Sequence, residues 1–130
     1  MSDWTTAKPY FQTSAVAHLA TLLRDGSPHT VPVWVGVEGD RLAIFTESGG
    51  LKDRNISRDP RVAISVTAVD DPYSMAFVRG EAVERIDGGD ALPYIDRIST
   101  VYTGKPYELR EGFAVWLIEP RKAWSRAYES

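Results

Sequence analysis

Valine falls on every second residue of HTVPVWVGV (29–37), so Val31, Val33, Val35 and Val37 share one side of an extended chain and predict a strand with a packed face. The other side carries Thr30, Pro32, Trp34 and Gly36, an unusual set for plain solvent. The apolar run AVAHLATLL (15–23) ends at Arg24-Asp25-Gly26-Ser27-Pro28 and reads as the strand that turns into it. Glu38-Gly39-Asp40 makes a hairpin turn into RLAIFTE (41–47). Next comes a short helix, which Ser48 would cap and Asp59-Pro60 must stop. RVAISVTAV (61–69) is a strand, and SMAFVRGEAVERI (74–86) is a long one that Gly80 marks for a bulge or bend. Residues 88–103 place Leu92, Ile95, Ile98 and Tyr102 at helical spacing. Pro93 fits only a first turn, so this helix starts near Asp90 and ends at Gly104-Lys105-Pro106. FAVWLIEP (113–120) is the last strand, with KAWSRAY as a candidate extension. Six strands, mostly in consecutive antiparallel pairs, and two small helices predict a mainly β fold. The expected architecture is a six-stranded antiparallel closed or split β-barrel, one domain over residues 1–130, in which closure protects the edges.

Composition narrows the chemistry. Apolar residues make up 43% and charged residues 25% of the 130, as in ordinary globular domains. There is no cysteine, which excludes disulfides, thiolate metal sites and a cysteine nucleophile. The N-terminus lacks a basic segment followed by an apolar run, and no stretch approaches about 18 uninterrupted apolar residues, so neither a signal peptide nor a membrane span is expected. A cytoplasmic protein is the expectation. A net charge of −3 argues against nucleic acid as a partner.

Against that acidic balance, TESGGLKDRNISRDPR (46–61) gathers Lys52, Arg54, Arg58 and Arg61 behind a Ser48-Gly49-Gly50 turn. Two readings compete. One is a solvated helix face laced by Lys52, Asp53, Arg54, Arg58 and Asp59. The other is an anion site, in which backbone N–H groups and the helix dipole are supplemented by Lys52 and Asn55, three apart on one helix face. His18 and His29 are the only histidines, too few without cysteine for a catalytic metal site. No GxSxG, HExxH or P-loop is present, and Asp70, Asp71 and Glu81 show no paired arrangement. No residue is expected to act as a classical acid, base or nucleophile, which suits an enzyme whose chemistry belongs to a cofactor.

The series LAT-LLRDGSPHTVPVWV, IFTES-G-LKDRNISRDPRVAISV, DDPY and FVRGEAVE resembles the pyridoxamine-phosphate-oxidase-like split-barrel superfamily, most of all the branch that uses the deazaflavin coenzyme F420 instead of FMN. The resemblance implies a dimer of six-stranded split barrels with the cofactor in a shared groove. It implies that Lys52, with Thr46, Ser48 and Gly49, holds a phosphate, and that Arg54, Asn55 and Arg58 add to the same site. It places the flavin ring against Val31, Pro32, Val33 and Trp34, with His29 a candidate to line the ring or a substrate; Trp34 reads equally well as a core or dimer contact, and His29 at least as well as a structural turn-end residue. The implied reaction is hydride transfer to a small electron-poor organic substrate, with Tyr73 and Tyr128 as candidates to line its space. Two alternatives stay open: an FMN enzyme, whose cofactor lacks the polyglutamate tail that Arg54 and Arg58 would meet, and a non-catalytic flavin or tetrapyrrole carrier. A homodimer is also expected from the residues, because Thr30, Pro32, Trp34 and Gly36, together with Met75 and Phe77, form a second apolar surface that needs a cover.

Overall fold

In a computed structural model describing residues 3–128, the valine-rich run is two strands, and this break explains the whole architecture. Strands β1 (Ala17–Leu22), β2 (Pro28–Val33), β3 (Gly36–Glu38), β4 (Arg41–Glu47), β5 (Arg61–Ala68), β6 (Asp71–Asp87) and β7 (Phe113–Ala127) form one antiparallel sheet in the order β2-β1-β5-β6-β7-β4-β3. Its two edges, β2 and β3, are joined by Trp34 and Val35 alone. Three residue steps reach at most about 11 Å. The edges of a flat seven-stranded sheet would stand about 28 Å apart at the usual strand spacing. The sheet must therefore curl until its edges meet, closed by the chain itself and not by ladder hydrogen bonds. The expected six-stranded barrel is corrected to seven strands on this account: one extended run serves both edges.

Burial follows from closure. The barrel interior holds Leu19, Val33, Val35, Leu42, Ile44, Ile64, Val66, Val78 and Ile118. A second cluster packs helix α3 (Leu92–Thr103) through Ile95 and Ile98, with Ala91 just before it, onto Ala43, Val115 and Leu117, the outer side of β4 and β7. Those two strands are covered on both faces, which is why Ala114 to Ile118 read as an unbroken apolar run. A 3-10 turn (Gly88–Ala91) leads into α3, Pro93 lies in its first turn, and Gly104 ends it in the left-handed region at φ 83°. Helix α2 (Leu51–Arg58) contributes Ile56 to the interior. KAWSRA (122–127) belongs to β7, and Tyr128 lies just past its end. Short helix α1 (Trp4–Ala7) and the 3-10 turn after it add Phe11 to the core. None of the described helices is long and apolar enough to cross a membrane.

The β6–β7 register shifts between Arg79 and Gly80, so the glycine marks a bulge. A Cβ at Gly80 would lie 2.6 Å from the Glu119 carbonyl oxygen and 2.9 Å from Ile118 Cγ2. The nearest atom is a backbone oxygen held in the β6–β7 ladder and leaves little room to yield. Gly80→Ala is expected to cost about 1–3 kcal/mol, read as a thermal midpoint lowered by several degrees. A variant as stable as the parent would show that the bulge relaxes freely.

Candidate functional site

The unpaired Trp34-Val35 link borders a cleft of about 400 Å³ lined by Val16, Pro32, Val33, Trp34, Phe45, Lys52 and Tyr107. Trp34 stacks on Tyr102 with ring centroids 5.0 Å apart and planes 10° from parallel. Phe45 and Tyr107 meet its edges at 6.4 and 6.2 Å, and Phe113 completes the group behind them. Phe45 comes from the outward side of β4, and Tyr107 from the irregular segment between α3 and β7. That segment is pinned by Asp96, which accepts from the Arg110 guanidinium at 2.8 and 3.0 Å and from the Tyr107 N–H at 3.2 Å. The opposite side of the cleft offers one cation. Lys52, in the first turn of α2, makes no ion pair among the described residues. A larger groove of about 520 Å³ lies along α3, but its only cation, Arg97, is already bound by both oxygens of Glu38. The smaller cleft is the one equipped for an anionic, flat-ringed ligand.

The Ser48-Gly49-Gly50 turn does not present free N–H groups as expected. Ser48 donates to the Gly112 carbonyl at 2.8 Å, Gly50 to the Glu47 carbonyl at 3.0 Å, and Gly49 to Asp53 Oδ2 at 2.9 Å. The expected Ser48 cap is corrected too: Gly50 holds the N-cap position, and no side chain caps the helix from there. Asp53 reaches back from the first turn instead. Its carboxylate takes two bonds from Arg85, at 3.0 and 2.8 Å, and one from the Trp116 indole at 2.9 Å. Arg85 above all, then the Gly49 N–H and the indole, hold the buried carboxyl at about 2, below its usual 3.8. The α2 terminus is thus internally neutralised. What remains for an external anion is the Lys52 ammonium and the first-turn N–H groups of α2, which have no intrahelical acceptor.

The structure brings Pro32, Val33, Trp34 and Lys52 to one cleft and leaves the other expected residues around it. His29 and Val31, half-buried on the same edge strand, sit opposite Thr21 and Leu19 of β1. Thr46 is buried at the end of β4. Ser48, Gly49 and Arg54 are exposed. Asn55, expected beside Lys52, instead turns inward at 1% exposure: it donates to Thr21 Oγ1 at 3.1 Å and accepts from Arg58 at 2.7 Å. Arg58 also donates to the Leu22 carbonyl, so its guanidinium braces α2 against β1. Tyr73 and Tyr128 lie together at the far end of β6 and β7, where the Tyr128 N–H donates to the Tyr73 carbonyl at 2.8 Å; neither borders the cleft. The cleft's tyrosine is Tyr107, which no periodicity marks out. Phe45 was legible as the lone aromatic on the alternate side of RLAIFTE. The Asp53–Arg85–Trp116 cluster joins residues 32 and 63 positions apart and left no local signal.

Residues 5–127 match the family described as pyridoxamine 5'-phosphate oxidase. The chain belongs to that family. Among solved structures of the pyridoxamine 5'-phosphate oxidase fold, an F420 reductase superposes with a TM-score of 0.80 at 24% identity, covering 90% of this chain and 94% of its own. A conserved hypothetical protein from Mycobacterium tuberculosis gives 0.79 at 24% identity, covering 98% and 85%. An FAD-binding protein from Mesorhizobium loti gives 0.70 at 18%, covering 96% and 94%. At these identities the likeness is one of fold. No curated protein matches the chain. The family takes its name from an oxidase, and an F420 reductase and an FAD-binding protein share the fold, which makes a flavin-type cofactor the group against which to test the cleft.

Proposed function

We propose that this member of the pyridoxamine 5'-phosphate oxidase family is an F420-dependent oxidoreductase that reduces a small, electron-poor organic substrate. The observation that carries the reading is the meeting of Lys52 with the Pro32-Val33-Trp34 wall in one cleft. The donor set suits the cofactor: a cation for a phosphate, and an aromatic and aliphatic surface for a flat ring. Pro32 has no N–H, and β2 is a sheet edge, so one side of its backbone has no strand partner. Lys52 would hold the phosphate, residues 32–34 would support the ring, and Trp34 with Tyr107 would exclude water. The reduced cofactor, when bound, supplies the hydride. Among the described residues no carboxylate or histidine lines the cleft, so the accompanying proton comes from water or from a tyrosine hydroxyl, Tyr107 being the tyrosine in place.

F420 is favoured over FMN because a tail longer than the phosphate could cross α2 to Arg54, which is exposed, makes no ion pair among the described residues and, two positions from Lys52, stands on another face of the helix. The structure of an F420 reductase among the similar folds supports the same choice. Fluorescence titration decides: F420 is expected to bind more tightly than FMN. A protein that purifies yellow with FMN would overturn the deazaflavin reading. We also propose a homodimer. Half-buried Met75 and Phe77 and the exposed ring of Trp124 share the outer side of β6 and β7, and a second copy is their simplest cover. Light scattering of the cofactor-free protein at micromolar concentration tests it, and a mass near 14.5 kDa would exclude the dimer.

A further inference from the structure

No strand pairing fixes Trp34. It lies past the end of β2 and before β3, with no strand partner on either side. Phe45 and Tyr107 meet only its edges, and the ring that lies flat against it comes from α3. The Tyr102 ring lies flat against the indole at 5.0 Å, and its hydroxyl makes two bonds of opposite sense. It donates to the Ala15 carbonyl at 2.7 Å and accepts from the Val35 N–H at 3.1 Å. Ala15 directly precedes Val16, and Val35 directly follows Trp34; Val16 and Trp34 both line the cleft. One oxygen atom therefore ties together two of the chain segments that line it. Tyr102 itself is outside the lining, so it acts through its neighbours.

We propose that Tyr102 is the positioning residue of the cleft, its ring setting the plane of Trp34 and its hydroxyl setting the spacing between the Val16 and Trp34 segments. Burial raises the phenol's pKa, so it stays a donor throughout the neutral range. The consequence for the ligand rests on the reading of the cleft as the flavin-type site. A ring-binding site tolerates little disorder in its lining, and a hydroxyl bonded to two of the lining segments fixes their spacing before the ligand arrives, which lowers the ordering cost of binding.

Tyr102→Phe separates the two roles, because it keeps the stacked ring and removes one oxygen. Ile95→Val serves as the comparator: Ile95 is fully buried on the same helix and lines no part of the cleft. The first measurement needs no cofactor. The chain has four tryptophans, and 5-fluorotryptophan labelling gives each a fluorine signal, with Trp34 identified by its loss in Trp34→Phe. The Trp34 signal is expected to shift and broaden in Tyr102→Phe and to keep its position in Ile95→Val. The second measurement is F420 affinity by fluorescence: Tyr102→Phe is expected to weaken it about tenfold, and Ile95→Val to leave it unchanged. A Trp34 signal unmoved in Tyr102→Phe overturns the positioning role. So does a moved signal with undiminished affinity. If the parent protein binds neither F420 nor FMN, the functional reading fails instead, and the fluorine signals alone judge Tyr102.

Discussion

Asp53→Ala is expected to remove about 3 kcal/mol of stability, the largest loss of any single substitution considered for this chain. The side chain is only 5% exposed and is bonded to Arg85, Trp116 and the Gly49 N–H at once. Truncation would leave the indole N–H and the glycine N–H without acceptors in a buried site and strip Arg85 of its bidentate partner. Breaking buried pairs costs about 3–5 kcal/mol; the lower end applies because Arg85 is 31% exposed and keeps Asp87 at 2.8 Å. Acid should reveal the same cluster. The folded carboxyl titrates at about 2 against an ordinary 3.8, so the depressed value contributes stability above the unfolded pKa and loses it as pH falls toward 2. That difference corresponds to about 2 kcal/mol, fully present at neutral pH. Urea midpoints at pH 7 and near pH 3 test both statements. The parent should weaken across that interval, and Asp53→Asn should weaken less. A loss under about 1 kcal/mol for Asp53→Ala at pH 7 would falsify the cluster's stabilising role.

How far the sequence revealed this arrangement depends on how local each cause is. Pro93 and Gly104 bracket α3 because proline and glycine act through their own dihedral angles, and Gly80 marks its bulge for the same kind of reason. The valine alternation, by contrast, continued through Trp34 and hid the break there. A chain leaving one sheet edge for the other stays extended, so its side-chain period survives while its partners change. That change is tertiary, and the period carries no trace of it. Ser48 looks like a helix cap because the rule is local, but Gly50 holds the N-cap position without a side-chain cap, and Asp53, supported by Arg85 from β6, ties down the Gly49 N–H of the turn instead. Pro32, Val33, Trp34 and Lys52 were found together because two short motifs carry them. Tyr73 and Tyr128 were chosen by residue type alone, and the structure places Tyr107 in the cleft through contacts with Asp96 and Arg110 that no spacing predicts. Lys52 and Asn55 show the limit of helical spacing: three apart, they differ in outlook because Thr21 and Arg58 claim the asparagine.

Lys52→Ala is expected to weaken F420 binding roughly 10- to 100-fold, the equivalent of about 1.5–3 kcal/mol for one charge-assisted contact. The estimate rests on what else faces the cleft. The α2 terminus alone favours an anion by about 0.3–1 kcal/mol, and Asp53 beside it already satisfies Gly49 and is itself balanced by Arg85. Lys52 is thus the one side chain of the lining that can meet a phosphate with full charge. Because it makes no ion pair among the described residues, its loss should barely change the urea midpoint, which separates a binding defect from a folding one. Lys52→Arg should recover part of the affinity, since charge returns with a different shape. The loss should also extend to FMN wherever FMN binds measurably, because both cofactors carry the phosphate. Raising the salt should narrow the gap between parent and Lys52→Ala, as screening weakens the contact that only the parent has. If the folded variant keeps the parent's dissociation constant, the phosphate does not lie at Lys52, and the ring cannot occupy the Pro32-Val33-Trp34 wall in the orientation proposed.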